Sequence, residues 1–257
     1  MQTNLAANFT RFFFFAVWSA ALSGCYGDNY FNAGDPNDEN CLTPSNTIAS
    51  KTLTTNAFSE FRIAKDWGQQ AEITLEKGDR YEVTFEGPEN VVEVMTATTS
   101  SKSLQISVAE CFNGTAKMKI YITTPTLTKL SNLAWNAKIR VKDFSGETLD
   151  ISNSAYSELD LDIDYKTLNI NSSESGKFVI TGRVENFEGV FGRISSLKGF
   201  GLEAQKADIT SSTSNHLEVH VTEELNARIT SSGNILYKGH PVIHESISGT
   251  GKVIDAN

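Results

Sequence analysis

The feature that most narrows the fold is an internal repeat in the second half of the chain. Leu149-Asp150-Ile151-Ser152-Asn153-Ser154 aligns with Leu168-Asn169-Ile170-Asn171-Ser172-Ser173 at a step of 19 residues. Ala207-Asp208-Ile209-Thr210-Ser211-Ser212 aligns with Ala227-Arg228-Ile229-Thr230-Ser231-Ser232 at a step of 20, and Ile247-Ser248-Gly249 follows 18 residues later. The 39 residues from Ile170 to Ile209 leave room for one further, degenerate copy near Val190. A period near 20 is too short for a four-stranded blade or a helix pair and suits one coil of a β-solenoid, so each copy is read as a rung. Ile151, Ile170, Ile209 and Ile229 are then expected to stack along the axis. The Ser, Thr and Asn that follow them should form a structural ladder at a corner, bonded to turn backbone and to neighbouring rungs. About six rungs at roughly 4.8 Å predict a stack on the order of 30 Å tall.

From residue 58 onward no stretch carries sustained helical periodicity, and alternation of apolar and polar residues predicts strands. Ile73 and Leu75 alternate with polar neighbours, Lys77-Gly78-Asp79 reads as a turn, and Tyr81, Val83 and Phe85 alternate again. Further runs lie at Leu104, Ile106 and Val108 and at Met118, Ile120 and Ile122. With only five prolines in 257 residues, the fold class is all-β.

The N-terminus is an address. One positive charge at Arg11 precedes an apolar run from Phe12 to Leu22 that is too short to span a bilayer as a helix, which takes about 20 residues. The run ends in Leu22-Ser23-Gly24-Cys25, which resembles the lipobox of bacterial lipoproteins; the resemblance implies cleavage after residue 24 and acylation of Cys25. Several acyl chains on one residue give stable attachment where one alone is marginal. Tyr26, rather than Asp, follows the cysteine, so the outer membrane is expected, in either leaflet. Residues 25–57 are expected to be a lipid-anchored flexible linker, since Asn, Asp, Gly, Pro and Ser dominate up to residue 50, and residues 58–257 the head domain. Export leaves Cys41 and Cys111 either as one disulfide or as two unpaired small residues. A net charge of −9 with no Lys/Arg cluster excludes nucleic acid as a partner and disfavours lying flat on anionic lipid.

Two segments then acquire a family likeness. The run Leu225-Asn226-Ala227-Arg228-Ile229-Thr230-Ser231-Ser232-Gly233-Asn234-Ile235-Leu236-Tyr237-Lys238-Gly239-His240-Pro241-Val242 and the closing Ser248-Gly249-Thr250-Gly251-Lys252-Val253 resemble the head GIN domain family, whose members are labelled "putative auto-transporter adhesins". The strand pair between Phe61 and Phe85, the apolar pair Leu104 and Ile106, and the Thr124-Pro125-x-Leu127 entry into the repeats are similar to it too. The resemblance covers about residues 58 to 254. It implies a single-stranded right-handed parallel β-helix on an exported, lipid-anchored envelope protein, and it brings no catalytic residues. Ser231-Ser232-Gly233 and Ser211-Ser212-Thr213 hold fewer glycines than the family pattern, so less tightly turned corners are expected there.

Candidate sites are few. Glu158, Asp160, Asp162 and Asp164 share one face of a strand whose other face carries Leu159, Leu161 and Ile163. Like charges on one strand repel, so solvent screens them or a cation or polyhydroxylated ligand sits among them. Paired carboxylates also allow glycoside hydrolysis if one is desolvated. His216, His220, His240 and His244 are spaced too widely along a strand to share one zinc without partners from another rung and read as surface residues. Asp28, Asp35, Asp38 and Glu39 lack the ligand pattern of a calcium loop. Trp67 and Trp135 either fill the end of a coil or stack on sugar if exposed. No phosphate loop, zinc-protease helix or nucleophile elbow is present, and no cofactor is implied. The leading expectation is a non-enzymatic, lipid-anchored module binding glycan or protein partners at the outer membrane or cell surface. The alternatives are a carbohydrate-active β-helix enzyme using the acids from Glu158 to Asp164, and a periplasmic envelope component with a protein partner.

Overall fold

The computed structural model describes residues 41–63, 71–110, 112 and 117–257. The leader, Cys25, the spacer through residue 40, Trp67 and Cys111 lie outside the described residues. The N-terminal part holds β1 (Ile48–Thr54), β2 (Glu60–Ile63), β3 (Ala71–Lys77), β4 (Glu82–Pro88), the short helix α1 (Glu89–Glu93), β5 (Met95–Ser100), β6 (Ser103–Val108), β7 (Met118–Thr124) and β8 (Lys129–Asn132). Long strands follow: β9 (Ala137–Asn153), β10 (Ser157–Ser172), β11 (Gly176–Arg193), β12 (Ser196–Thr213) and β13 (Leu217–Ile229). Three short strands, β14 (Ile235–Lys238), β15 (Val242–Ile247) and β16 (Val253–Asp255), close the order.

From β9 to β13 the strands pair in parallel, each with the next, β14 and β15 pair with β13 and β16 with β14, and together they form a β-solenoid of about 7 turns. Each long strand turns a corner partway. Its first half joins a front sheet that runs β1-β4-β7-β3 and on through β9 to β14 and β16, and its second half joins a back sheet with β5, β6, β2, β8 and β15. The turn count exceeds six because β3 and β8, which pair with the two halves of β9, supply a split rung that lacks the repeat motif. The strands on either side of the Gly78 turn, β3 and β4, are both present but are not neighbours. β7 lies between them, parallel to β3 and antiparallel to β4.

Strand parity sets the interior. Ile73, Ile139, Leu159, Phe178, Leu197 and Leu217 stack on successive strands inside the front sheet, and all are buried. Each such side chain contributes roughly 1.5–3 kcal/mol of burial. On the back sheet the axis column is Leu130, Ile151, Ile170, Gly189, Ile209 and Ala227. The degenerate copy near Val190 is therefore real and in register. The expected place of Ile229 is not: Ile229 opposes Ser211, and Ala227 opposes Ile209, a rung of 18 where the motif aligned at 20. A slip of two residues keeps every side chain on the same face, so the hydrophobic pattern cannot resist it, whereas a slip of one would invert the strand.

The corner ladder forms as the repeat implies. Asn132 Nδ2 donates to Asn153 Oδ1 at 2.7 Å, Ser157 Oγ donates to the same oxygen at 2.6 Å, and Ser172 Oγ meets Ser195 Oγ at 3.0 Å. Thr213 Oγ1 continues it with a bond to the Ser195 carbonyl at 2.7 Å. All of these side chains are buried, so each bond spares a polar group the cost of desolvation without a partner. Where the composition suggested a spacer, β1 forms instead: Ile48 to Thr54 pair with β4 as an edge strand, held by backbone bonds rather than by burial. Tyr165, also buried, donates its hydroxyl to the Leu127 carbonyl at 2.6 Å, and burial pushes its pKa well above the ordinary tyrosine value.

The last back-sheet strand treats its edge differently from the core. β15 pairs with β13, so Ile243, Glu245 and Ile247 occupy inward positions, yet Glu245 is charged and exposed. An inward charge at a free edge opposes further stacking. Replacing it, as Glu245→Leu, should therefore shift the protein to larger species in sedimentation velocity; an unchanged distribution would contradict this role. Gly182 marks a corner of β11 with φ +114°, where a Cβ would overlap the Ile163 carbonyl oxygen. Gly182→Ala should lower stability in urea unfolding by about 2 kcal/mol or more, and a loss under 0.5 kcal/mol, roughly the noise of a surface change, would show the corner relaxes freely.

Candidate functional site

The outer positions of the front sheet carry most of the organised charge. On six successive strands, Glu86, Lys119, Glu72, Lys138, Glu158 and Lys177 stand directly beside one another in that order, acid alternating with base. The next column includes Arg140 beside Asp160, followed by Val179 and Lys198. Within this array Lys119 meets Glu86 at 2.8 Å, Arg140 meets Asp160 at 3.3 Å and Lys177 meets Glu158 at 3.3 Å. Surface pairs contribute little stability, typically about 0–1 kcal/mol each. Their larger effect is on register, because stacking like charges on adjacent strands is unfavourable.

The acidic strand singled out from the sequence is thus an ion-pair strand. Glu158 and Asp160 are engaged as above, Asp164 faces Arg183 at 3.7 Å, and Asp162 accepts a 3.5 Å contact from the Thr181 hydroxyl. The four acids lie on one outer face of β10, as alternation requires, but each has a partner on an adjacent rung. Sequence reading missed these partners, Arg140 on β9 and Lys177, Thr181 and Arg183 on β11. The signal was there: Lys138-Ile139-Arg140-Val141-Lys142 precedes Glu158-Leu159-Asp160-Leu161-Asp162 by one 20-residue step, with inverted charge.

Two adjoining hollows follow this array. One, of about 540 Å³, lies between the Ile48 and Met118 region and Tyr156; the other, of about 410 Å³, continues over β9 to β12 as far as Lys198. They share Glu72, Lys138 and Glu158, so they form one groove running along the solenoid axis. Lys177 sits 5.5 Å from the Tyr156 ring centre, and its hydrogen bond to Tyr156, then that to Glu158, hold its pKa above the usual lysine value. The hydrogen bond and charge of Glu86 do the same for Lys119. Trp135, 53% exposed, immediately precedes Asn136, which lines the first hollow.

The other sequence candidates do not converge. His216 and His220 belong to the front side of the β13 rung, with His216 Nδ1 accepting the Asn234 N–H at 3.4 Å, while His244 lies on β15, 3.8 Å from Glu224. Among the described residues no three His, Cys, Asp or Glu side chains are grouped to hold a metal. Cys41 is buried and disulfide-bonded, and the adjacent Leu42 forms a parallel bridge with Phe112. In the Tyr237-Lys238-Gly239-His240-Pro241 turn, Gly239 has φ +89°, and a Cβ would overlap the Val221 carbonyl oxygen. That glycine is structural.

Comparison with known proteins agrees with this architecture. A crystal structure of "a putative adhesin" from Bacteroides fragilis NCTC 9343 superposes with a TM-score of 0.76 at 21% identity, covering 84% of this chain and 100% of that one. A "putative adhesin" from Parabacteroides distasonis ATCC 8503 gives 0.65 at 18% identity over 84% of this chain and 99% of that one. A "putative lipid binding protein" from the same organism gives 0.64 at 18% over the same shares. At these identities the likeness is one of fold. No curated protein matches the chain. The family model described as "Putative auto-transporter adhesin, head GIN domain" matches residues 66–241, most of the solenoid, and the chain belongs to that family.

Proposed function

We propose that this protein is a non-enzymatic binding module of the cell envelope, tethered to the outer membrane through lipid on Cys25 and engaging a glycan or protein partner along its front sheet. The observation that carries the reading is the groove: it is open, lies on a rigid sheet, and is lined by side chains from many rungs. Such a surface offers many weak contacts to an extended partner, which suits adhesion. The family's name points the same way. A glycosidase reading is poorly supported, because Glu158 and Asp160 are exposed and ion-paired, whereas a general acid needs a desolvated carboxyl.

Attachment fits the same picture. The apolar leader ends in Leu22-Ser23-Gly24-Cys25, and among the described residues no helix is long and apolar enough to cross a membrane. The Leu42–Phe112 bridge makes Cys111 the natural partner of Cys41, a bond that would pin the start of the folded region to the N-terminal strands in an oxidising compartment.

Labelled palmitate should be incorporated in the native host and lost in Cys25→Ala, with the variant absent from the detergent-soluble lipoprotein fraction; a variant that stays labelled ends the lipid-anchor reading. Peptide mapping without reductant should join the Cys41 and Cys111 peptides, and a free Cys111 thiol would contradict the pairing. Purified protein lacking residues 1–25 should bind reproducibly to members of a glycan and matrix-protein array, with no change on calcium removal. Silence across the array would shift the function to a periplasmic protein partner.

A further inference from the structure

The groove is electrostatically unlike the molecule that carries it. The chain as a whole has a net charge of −9. After the three ion pairs within the groove are set aside, its remaining charged side chains are Lys117, Lys138 and Lys198 against Glu72. None of these four is within ion-pair distance of an oppositely charged described residue. All three lysines are exposed. Lys138, at the junction of the two hollows, and Lys198 are three rungs apart, about 14 Å along the axis, and Lys117 extends the line in the other direction, beside the first residue of β7.

Three ammonium groups without an ion-pair partner among the described residues, against the one carboxylate of Glu72, along an open groove of an acidic protein call for an anionic occupant with several charges. An acidic peptide is the poorer fit. Extended peptides gain affinity chiefly by adding to a free sheet edge, and the strands that carry the three lysines and the floor between them, β7 to β12, are already paired on both sides, the one free edge at the groove being β1 at its far end. Recognition must come from side chains alone, presented at the rung spacing, which suits a polymer with its own regular charges and hydroxyls. The Tyr156 ring within the groove, and the exposed Trp135 next in sequence to the lining residue Asn136, offer flat apolar surfaces of the kind that pack on sugar rings.

We propose that the front-sheet groove is a binding site for an anionic polysaccharide bearing carboxylate groups, with Lys117, Lys138 and Lys198 pairing its charges and Trp135 packing on a ring at its end. This rests on the reading of the chain as a binding module and names the class of its ligand. The affinity is mainly electrostatic, so it falls as salt screens the exposed pairs.

The test uses the full-length lipoprotein in detergent micelles, titrated with size-defined oligogalacturonate and with dextran of matched length. Oligogalacturonate should bind in low salt, weaken at least about tenfold between 0.05 and 0.5 M NaCl, and bind at least about tenfold more weakly to Lys138→Gln combined with Lys198→Gln. Lys206→Gln on the back sheet should bind as the unaltered protein does. Trp135→Ala should weaken the sugar polymer without altering the weaker attraction to poly-L-glutamate. No binding of oligogalacturonate, equal binding of dextran or poly-L-glutamate, or an equal loss in Lys206→Gln would each overturn the proposal. Binding of a neutral glycan or a matrix protein that survives the lysine changes would overturn it too, while leaving the binding-module reading intact.

Discussion

Parallel, near-register stacking of rungs is the interaction on which everything else here depends. Each rung satisfies its backbone groups on the rungs above and below, so no rung is stable alone and all gain from repetition. Because side chains alternate, one face of every strand is committed to the interior and the other is free to vary. Leu159, Leu161 and Ile163 hold β10 in the core, while Glu158, Asp160, Asp162 and Asp164 on its outer face can change without touching that core.

Parallel stacking also brings a hazard, which this sequence answers on both faces. Repeated rungs would place like residues side by side, and for charges that is repulsive. On the front sheet the problem is resolved by inversion, with Lys138 and Arg140 on β9 beside Glu158 and Asp160 on β10 and Lys177 on β11. Inside the corner the repeated residues are Asn, Ser and Thr, which can donate and accept at once and so benefit from stacking, as in the bond from Asn132 to Asn153. The same device that sets register thereby builds a surface with defined chemistry: alternating charges along the groove, with Lys138 between Glu72 and Glu158, and Lys198 beside Val179.

Much of this was legible in the repeat. The period near 20 and the alternation around Ile73, Phe85, Ile106 and Ile120 led to an all-β coil, and the Ser/Asn motif led to a structural ladder, because each is a local pattern repeated in sequence. What escaped had a different cause in each case. The rung joining β12 to β13 is two residues shorter than the motif alignment, and even slips leave the apolar pattern unchanged. β1 is polar and half exposed, so its composition resembles a spacer although its backbone completes a sheet. The acidic strand drew attention as a site because its basic partners lie a full rung away, where only the coil places them.

The sequence by itself determined the class of fold and the interior, since both rest on local composition, parity and period. The tertiary structure alone decided which strands are neighbours, that β7 separates β3 from β4, that β3 and β8 complete an extra rung, and that charges from six strands align in one column. Those outcomes depend on corners such as Gly182 and on loop lengths between distant segments. Side-by-side placement is a sum over every intervening turn, and no local window contains it.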